Sequence, residues 1–387
     1  MKKILLLDTN VSSFPIYNFL VNEGYEVYVA GSKENDCLAK CSTNYIFLDY
    51  SRIEELNKII EDYKFDYIVP GCNDMSYACV TKINKSRKFP GLDPTEICET
   101  INNKSMFRDF AISNGLNVPK VYSLKDAYCV NVPLIIKPVD AYSGRGISIV
   151  NEPNKMLLDL AVENAIKFSK DKKYVIEEYK TGQLYSHSAF IENKKIVKDF
   201  IVVENCTANP FTVDSSYVVH DDFPVNLLES IRKDIEIIAK ILKLEDGLIH
   251  TQFIRSGDSF YIIEVTRRCP GDLYSLLIEK STNFKYSQNY VRPFIGKKII
   301  QSTSEEIKKY IFRHTISSDA DLFSIGIEFK NELDIDLYIS LSVTGDEMKK
   351  SPFSRFGLVF IKCNDQKDLE NKYGLALRRE LYYYKSI

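Results

Sequence analysis

Four groups of residues in this chain have the types and spacing to handle a phosphate-bearing substrate. Lys137 closes the apolar run Pro133-Leu134-Ile135-Ile136-Lys137-Pro138, and the turn Ser143-Gly144-Arg145-Gly146 follows it. A fixed cation beside backbone N–H groups that can fold over oxygen atoms makes a phosphate cradle. Val175-Ile176-Glu177-Glu178-Tyr179 ends a second apolar run, with a break at Gly182. An acceptor, an N–H donor and an apolar wall at one strand end are what an adenine edge requires. Gln252 and Glu264 stand twelve residues apart across a turn, followed by Thr266 and the pair Arg267-Arg268. On paired antiparallel strands these side chains can share one cleft. Oxygen ligands there could hold Mg²⁺ against two phosphates, and an arginine could neutralise a transferring phosphoryl group. Lys104 opens a helical pattern upstream of all of them.

Each group has an ordinary reading when taken alone. A glycine-rich turn between strands is most often a hairpin, and a strand-end lysine a solvated edge residue. Paired glutamates can simply be charges at an exposed strand end, and the Gln252 to Arg268 set can be a structural salt-bridge network. Lys104 can be a surface helix residue. Further candidates lie outside these groups. Gly71-Cys72-Asn73-Asp74 follows a strand, where open sheets gather ligands, so Asn73 and Asp74 are candidate substrate contacts. The equal alternative is a polar turn with Asp74 capping the next helix. Arg267 and Arg292 complete the candidate substrate set, although an exposed loop arginine is the plainer account of Arg292.

Periodicity predicts the elements that position these groups. Lys3 to Asp8, Tyr25 to Ala30, Tyr45 to Leu48 and Phe65 to Pro70 are strand patterns, with amphipathic helices at Ser13 to Asn22 and Ile53 to Tyr63. That alternation predicts an open parallel α/β sheet over residues 1–102. The first strand-to-helix turn, Asp8-Thr9-Asn10-Val11-Ser12-Ser13, lacks the G-x-G-x-x-G of a nicotinamide or flavin site. Residues 103–300 make the next unit, beginning with a helix from Lys104 to Asn114 closed by Gly115. Its residues 120–180 or so hold the Lys137 strand, a return strand Ile147 to Val150, a helix from Asn154 to Lys170 and a strand from Tyr174 to Tyr179, a small lid lobe. Strands at Tyr185 to Ile191, Lys195 to Glu204, Leu248 to Arg255 and Phe260 to Thr266, with a helix from Pro224 to Leu242, make a central lobe. Residues 301–387 break into short strands and are expected as a small third domain.

Composition narrows the function class. The 51 Lys and Arg against 53 Asp and Glu leave a net charge of −2, so nothing asks for nucleic acid as principal partner. With 387 residues, 45% apolar and 27% charged, the chain can bury the cores of two or three domains. Its nine cysteines are odd in number and include no C-x-x-C pair, which predicts reduced thiols. The apolar run after Met1-Lys2-Lys3 stops at Asp8, too short for a signal-peptide core, and no run approaches the roughly 18 residues of a membrane span. A cytoplasmic protein without membrane contact is expected. None of the four histidines stands at metal-ligand spacing, so any metal should be held by oxygen.

Taken in order, Asn103-Lys104, Leu134 to Pro138 with Ser143 to Gly146, Ile176-Glu177-Glu178-Tyr179 with Gly182, Gln252, and Glu264-Val265-Thr266-Arg267-Arg268 resemble the ATP-grasp superfamily over roughly residues 1–300. The resemblance is greatest to the branch of carbamoyl phosphate synthetase, biotin carboxylase and amino-acid ligases. It implies an ATP-grasp fold of α/β and α+β type: an amino-terminal open parallel α/β domain, a small lid lobe, a central ATP-grasp lobe and a small carboxy-terminal domain. It implies ATP with Mg²⁺ or Mn²⁺, and a substrate carboxylate activated as an acylphosphate that an amine opens. Carried to this sequence, it makes Lys104 and Lys137 contacts of the ATP phosphates and adenine edge, and Ser143, Gly144, Arg145 and Gly146 a phosphate-covering loop. Glu177, Glu178 and the Tyr179 backbone would hold adenine, and Gln252, Glu264 and Thr266 would be metal ligands. Arg268 would join Lys137 as a catalytic group. The chain departs from the family pattern at Thr266, where Asn is usual, and at Gln183-Leu184-Tyr185, which lacks the acidic ribose contact. The expected function is an ATP-dependent carboxylate-amine ligase for small molecules, with a homodimer as the default assembly. The alternatives are a biotin carboxylase-like or other ATP-dependent carboxylase, and a non-catalytic ATP-binding regulatory protein.

Overall fold

The computed structural model describes every residue except 86–87, 142–143, 302–306, 331–332, 352 and 387, with backbone alone at 386. Four parallel strands form the amino-terminal sheet, in the order Tyr45–Phe47, Glu26–Gly31, Lys3–Leu7, Tyr67–Pro70. Ile4, Leu5, Leu6 and Leu7 are all buried, as a parallel strand covered on both faces requires. The strand order reverses beside Lys3–Leu7, which opens a crevice at the carboxyl ends of that strand and Tyr67–Pro70. The helix Ile53–Tyr63 has Glu54 and Glu55 in its first turn, turns Leu56 and Ile60 inward, and ends at Lys64 in the left-handed conformation, φ 54°.

Two helices, Thr95–Asn102 and Lys104–Ser113, lead out of this unit. Asn103 between them accepts the N–H groups of Ser105 and Met106 at 3.1 Å each, and this cap fixes where the second helix begins. Lys104 is therefore its first residue, and its own N–H reaches the Val139 carbonyl at 3.1 Å.

The lid lobe is an antiparallel sheet in the order Val121–Tyr122, Tyr174–Glu178, Leu134–Pro138, Ser148–Val150, packed against the helix Lys155–Phe168. Ile135 faces Glu177 in the register, so Lys137 lies diagonally across from Glu177 on the same face.

An eight-stranded antiparallel sheet dominates the rest of the chain, in the order Ser259–Thr266, Gly247–Ser256, Gln183–Glu192, Lys195–Asn205, Ser215–Val219, Tyr310–Ile316, Gly357–Cys363, Asp334–Ser340. The helix Val225–Ile241 buries Leu227, Ile231, Ile235 and Ile238 with one face of it. Each such side chain contributes about 1.5–3 kcal/mol. The tail, expected as a small third domain, is joined to this sheet by its first strand. Tyr310–Ile316 pairs with Ser215–Val219 and carries the same sheet onward, because that strand would otherwise end the sheet with an unpaired edge. The helices Tyr274–Thr282 and Gln366–Leu377 had no counterpart in the sequence reading. Among the described residues no helix is long and apolar enough to cross a membrane. All nine cysteines are free thiols.

Candidate active site

Period-two alternation on the central sheet builds the floor of the site. Gln252 pairs in register with Glu264 on one side and Ser186 on the other, while His250 pairs with Thr266 and Ser188. These six side chains therefore share one face. A bulge between Gln252 and Phe253 shifts the register beside Glu264, the kind of irregularity that re-aims a side chain at the end of a ladder. The Gln252 amide donates to Glu204 at 2.6 Å. Burial raises the Glu204 carboxyl above its usual range, against the hydrogen bonds from Ser186 and Gln252. His250 is driven down to about 3 by burial and by the Arg268 charge, so it is a neutral imidazole at physiological pH.

A buried triad ties the helix Lys104–Ser113 to the lid lobe. Glu177 is 0% exposed, and its carboxylate accepts Lys137 Nζ at 2.6 Å and Arg108 Nε at 2.8 Å. Burial would raise this carboxyl, but the two cations outweigh it and hold it at about 2. Burial pulls the Lys137 ammonium below its ordinary value, with Arg108 and Lys104 adding repulsion that Glu177 only partly offsets. Arg108 also donates to the Ile263 carbonyl at 2.8 Å. It thereby joins the triad to the residue before Glu264 and brings Lys137 and Glu264 into one neighbourhood. Lys104, one turn before Arg108, donates to the Ala141 carbonyl at 2.9 Å and lies 3.9 Å from Glu264 Oε1.

The glycine turn folds toward the central sheet. Gly144 and Gly146 adopt φ of 71° and 73°. A Cβ at Gly144 would lie 2.5 Å from Phe211 Cβ, so the close approach needs glycine. Arg145 between them is exposed, while Ser143 lies outside the described residues.

A second ion pair ties the amino-terminal unit to the sheet. Arg268 grips Asp74 through Nε at 2.9 Å and Nη2 at 3.1 Å, and the Thr266 hydroxyl donates to the same carboxylate at 3.2 Å. Burial would raise Asp74, but Arg268 and Thr266 together hold it below its usual range. The carboxyl group thus serves this pair, and the helix Asp74–Ile83 is capped instead by Asn73, which accepts Ser76 N–H at 2.8 Å.

Several expected contacts are corrected. Arg267 cannot meet a substrate: it follows Thr266, so alternation sends it to the opposite face. There it is 3% exposed and bound to Asp93 at 2.7 Å and to the Leu248 and Glu245 carbonyls. Arg292 sits in a short 3-10 helix, Arg292–Ile295, with its Nε spent on the Lys298 carbonyl. Glu177 cannot hold adenine with its carboxylate, because both oxygens are engaged by cations. The Tyr179 N–H is also taken, by the Pro133 carbonyl at 2.8 Å. Glu178 is partly exposed and paired with Lys180 at 2.5 Å. Thr266 gives its hydroxyl proton to Asp74, which leaves only lone pairs for an ion.

The sequence reading missed four residues. Arg108 carried a usable signal, being four residues beyond Lys104 and so on the same helix face. Glu204 and Asp272 carried none. Arg313, on the strand Tyr310–Ile316, is brought in only by sheet pairing: it faces Ser216 and donates to the Asp272 carbonyl at 2.8 Å. Asp272 and Leu273 hold positive φ of 53° and 57°, a strained pair of non-glycine residues. Ser12, Arg313 and Arg355 all bond to Asp272 and keep it there.

Residues 130–275 match the family model of the ATP-grasp domain. The phosphoribosylamine–glycine ligase of Pyrococcus furiosus is 24% identical over 292 residues, 69% of this chain. The match spans 66% of that relative, a little under two thirds of its length. Among solved structures, the L-amino acid ligase of Bacillus licheniformis superposes with a TM-score of 0.81 at 17% identity, covering 100% of this chain and 99% of its own. The phosphoribosylglycinamide synthetase of Anaerococcus prevotii gives 0.78 at 16% identity, covering 99% of each. Residues 130–275 thus form an ATP-grasp domain, set in a fold that this chain shares from end to end with these ligases.

Proposed function

We propose that this protein is an ATP-dependent carboxylate-amine ligase. The observation that carries the reading is the opposed pair Gln252 and Glu264, beside Lys104 and joined through Arg108 to Lys137. In this reading Lys104 and Lys137 neutralise phosphate oxygens, and Gly144, Arg145 and Gly146 cover them with Ser143. Glu178 and the backbone at the end of its strand meet the adenine. The names of the relatives support a ligase acting on small molecules.

The donor set suits a hard cation. It consists of the Glu264 carboxylate and the Gln252 amide oxygen, with Thr266 lone pairs, and all are oxygen. Among the described residues no three His, Cys, Asp or Glu side chains form a metal cluster. A Mg²⁺ or Mn²⁺ ion would therefore rest on few protein ligands and complete its shell with nucleotide phosphates, a habit of Mg²⁺ sites. Bound there, it would neutralise charge on two phosphates.

The reaction joins a carboxylate to an amine in two displacements. A carboxylate oxygen attacks the γ-phosphorus and ADP leaves. The amine nitrogen then attacks the acyl carbon, inorganic phosphate leaves, and the amine gives up a proton. The chain contributes position and charge rather than covalent chemistry. Arg268, oriented by Asp74, is the cation assigned to the acylphosphate. A cytoplasmic homodimer belongs to the same reading.

The test is ADP release from ATP and Mg²⁺ with pooled carboxylates and amines, with product mass determined by mass spectrometry. Substrate-dependent ADP and an amide product are expected, and Glu264→Ala should lower turnover at least about a hundredfold. Tight ATP binding without turnover under any pool would make the protein a nucleotide-binding regulator instead.

A further inference from the structure

Gln252 can serve a metal ion with only one end of its amide. The oxygen has lone pairs for a hard cation, whereas the NH₂ group carries only protons and would repel one. The last torsion of a glutamine has a broad, roughly two-fold preference, so the side chain by itself presents either end. A glutamate at this position would need no such control, because both its oxygens can ligate. Something must therefore hold the amide the right way round.

The hold comes from Glu204. Gln252 Nε2 donates to Glu204 Oε2 at 2.6 Å. Glu204 is on the strand Lys195–Asn205, two strands from Gln252 in the sheet, while Glu264 is on the neighbouring strand in the opposite direction. The contact crosses the intervening strand beside Ser186, the register partner of Gln252, whose short side chain leaves room for it. Drawing the nitrogen toward Glu204 leaves the carbonyl oxygen as the arm for the Glu264 side, and among the described residues no hydrogen bond engages that oxygen. A carboxylate only accepts, so the amide end that meets it is the NH₂. Glu204 is fixed in turn. It is 3% exposed and hydrogen-bonded by Ser186, and Ser186 meets the Tyr274 hydroxyl at 2.8 Å. Its register partner Ser216 accepts Arg313 Nε at 3.1 Å.

Resting on the ligase reading, we infer that Glu204 is a positioning residue for the metal: it holds the Gln252 amide with its oxygen, and not its nitrogen, toward the ion shared with Glu264. Its effect is exercised through Gln252, and it depends on where the acceptor stands rather than on the charge it carries.

The experiment is Mn²⁺ binding to the full chain in the presence of a non-hydrolysable ATP analogue, followed by the electron paramagnetic resonance signal of free Mn²⁺. Three variants separate acceptor position from charge. Glu204→Met removes both, and Mn²⁺ affinity should fall by about tenfold to a hundredfold, the scale for losing a partner that orients a metal ligand. Glu204→Gln loses the charge and keeps an acceptor oxygen at the same reach, so it should lose at most about threefold. Glu204→Asp keeps the charge and draws the acceptor back by one methylene, about 1.5 Å, and it should weaken Mn²⁺ binding more than Glu204→Gln does. The last two changes are conservative, so their order decides the matter even if Glu204→Met does not fold. Equal affinity in parent and variants, or Glu204→Gln weaker than Glu204→Asp, would overturn the inference and leave the ligase reading standing. A parent that takes up no Mn²⁺ with the analogue would bring down the ligase reading, and the inference with it.

Discussion

Replacing Glu177 by Gln removes the one anion between two buried cations. Arg108 Nε at 2.8 Å and Lys137 Nζ at 2.6 Å both depend on it, and a neutral amide can accept from one of them while turning its NH₂ toward the other. Two routes give the magnitude. The carboxyl is held from an ordinary 4.5 down to about 2, which corresponds to about 3 kcal/mol of native-state stability at neutral pH. Breaking a buried pair from one side costs about 3–5 kcal/mol. Glu177→Gln should therefore lower the unfolding free energy by about 3 kcal/mol in urea denaturation followed by circular dichroism. It should also change nucleotide binding with pH. Lys137 already titrates below its ordinary value, and without Glu177 it must titrate lower still. A lysine offers its charge to phosphate only below its folded-state pKa, so as pH rises affinity in the variant should begin to fall at a lower pH than in the parent. Adding Lys137→Met removes one stranded cation and should recover about 1 kcal/mol or more relative to the single variant. Stability of Glu177→Gln within about 0.5 kcal/mol of the parent would refute the electrostatic account of this lobe.

Two further outcomes separate structural from functional residues. Arg267→Met leaves Asp93 buried without its partner and should destabilise by about 3–5 kcal/mol, while turnover per folded molecule stays within about twofold; a tenfold rise in substrate KM would restore Arg267 as a substrate anchor. Acid should unlock the lid lobe, because the stability tied to the depressed Glu177 carboxyl is fully present above about 4.5 and is lost as pH falls toward about 2. Stability measured in that window should lose about 3 kcal/mol more in the parent than in Glu177→Gln, and equal losses would count against it.

Much of the fold was legible because local periodicity carries it. The helix Ile53–Tyr63 has the predicted bounds, and the strand Leu134–Pro138 begins one residue after the predicted Pro133, since apolar spacing and a stop signal mark both. The helix Tyr274–Thr282 was missed. It starts after Leu273 in a left-handed conformation, held by contacts from Ser12 and Arg313 on its neighbour Asp272 that no local window contains. The placing of the tail was not legible for a related reason: short strands separated by turns do not say which sheet edge they extend.

The sequence by itself determined the inventory: which residues are cations, which are oxygen donors, and which lie on one strand face. The twelve-residue spacing of Gln252 and Glu264 was not sufficient to pair them: plain alternation from the turn would set Gln252 opposite Ile263, and only the bulge between Gln252 and Phe253 turns Glu264 onto the face of Gln252. The tertiary structure alone decided how each charge is used. Arg267 and Arg268 are adjacent and chemically identical, yet one is locked to Asp93 behind the sheet and the other meets Asp74 at its front. Glu177 and Glu178 divide in the same way, one buried between two cations and one partly open to solvent. An ionic group's role depends on its partners and its access to water, and folding brings those partners from distant parts of the chain.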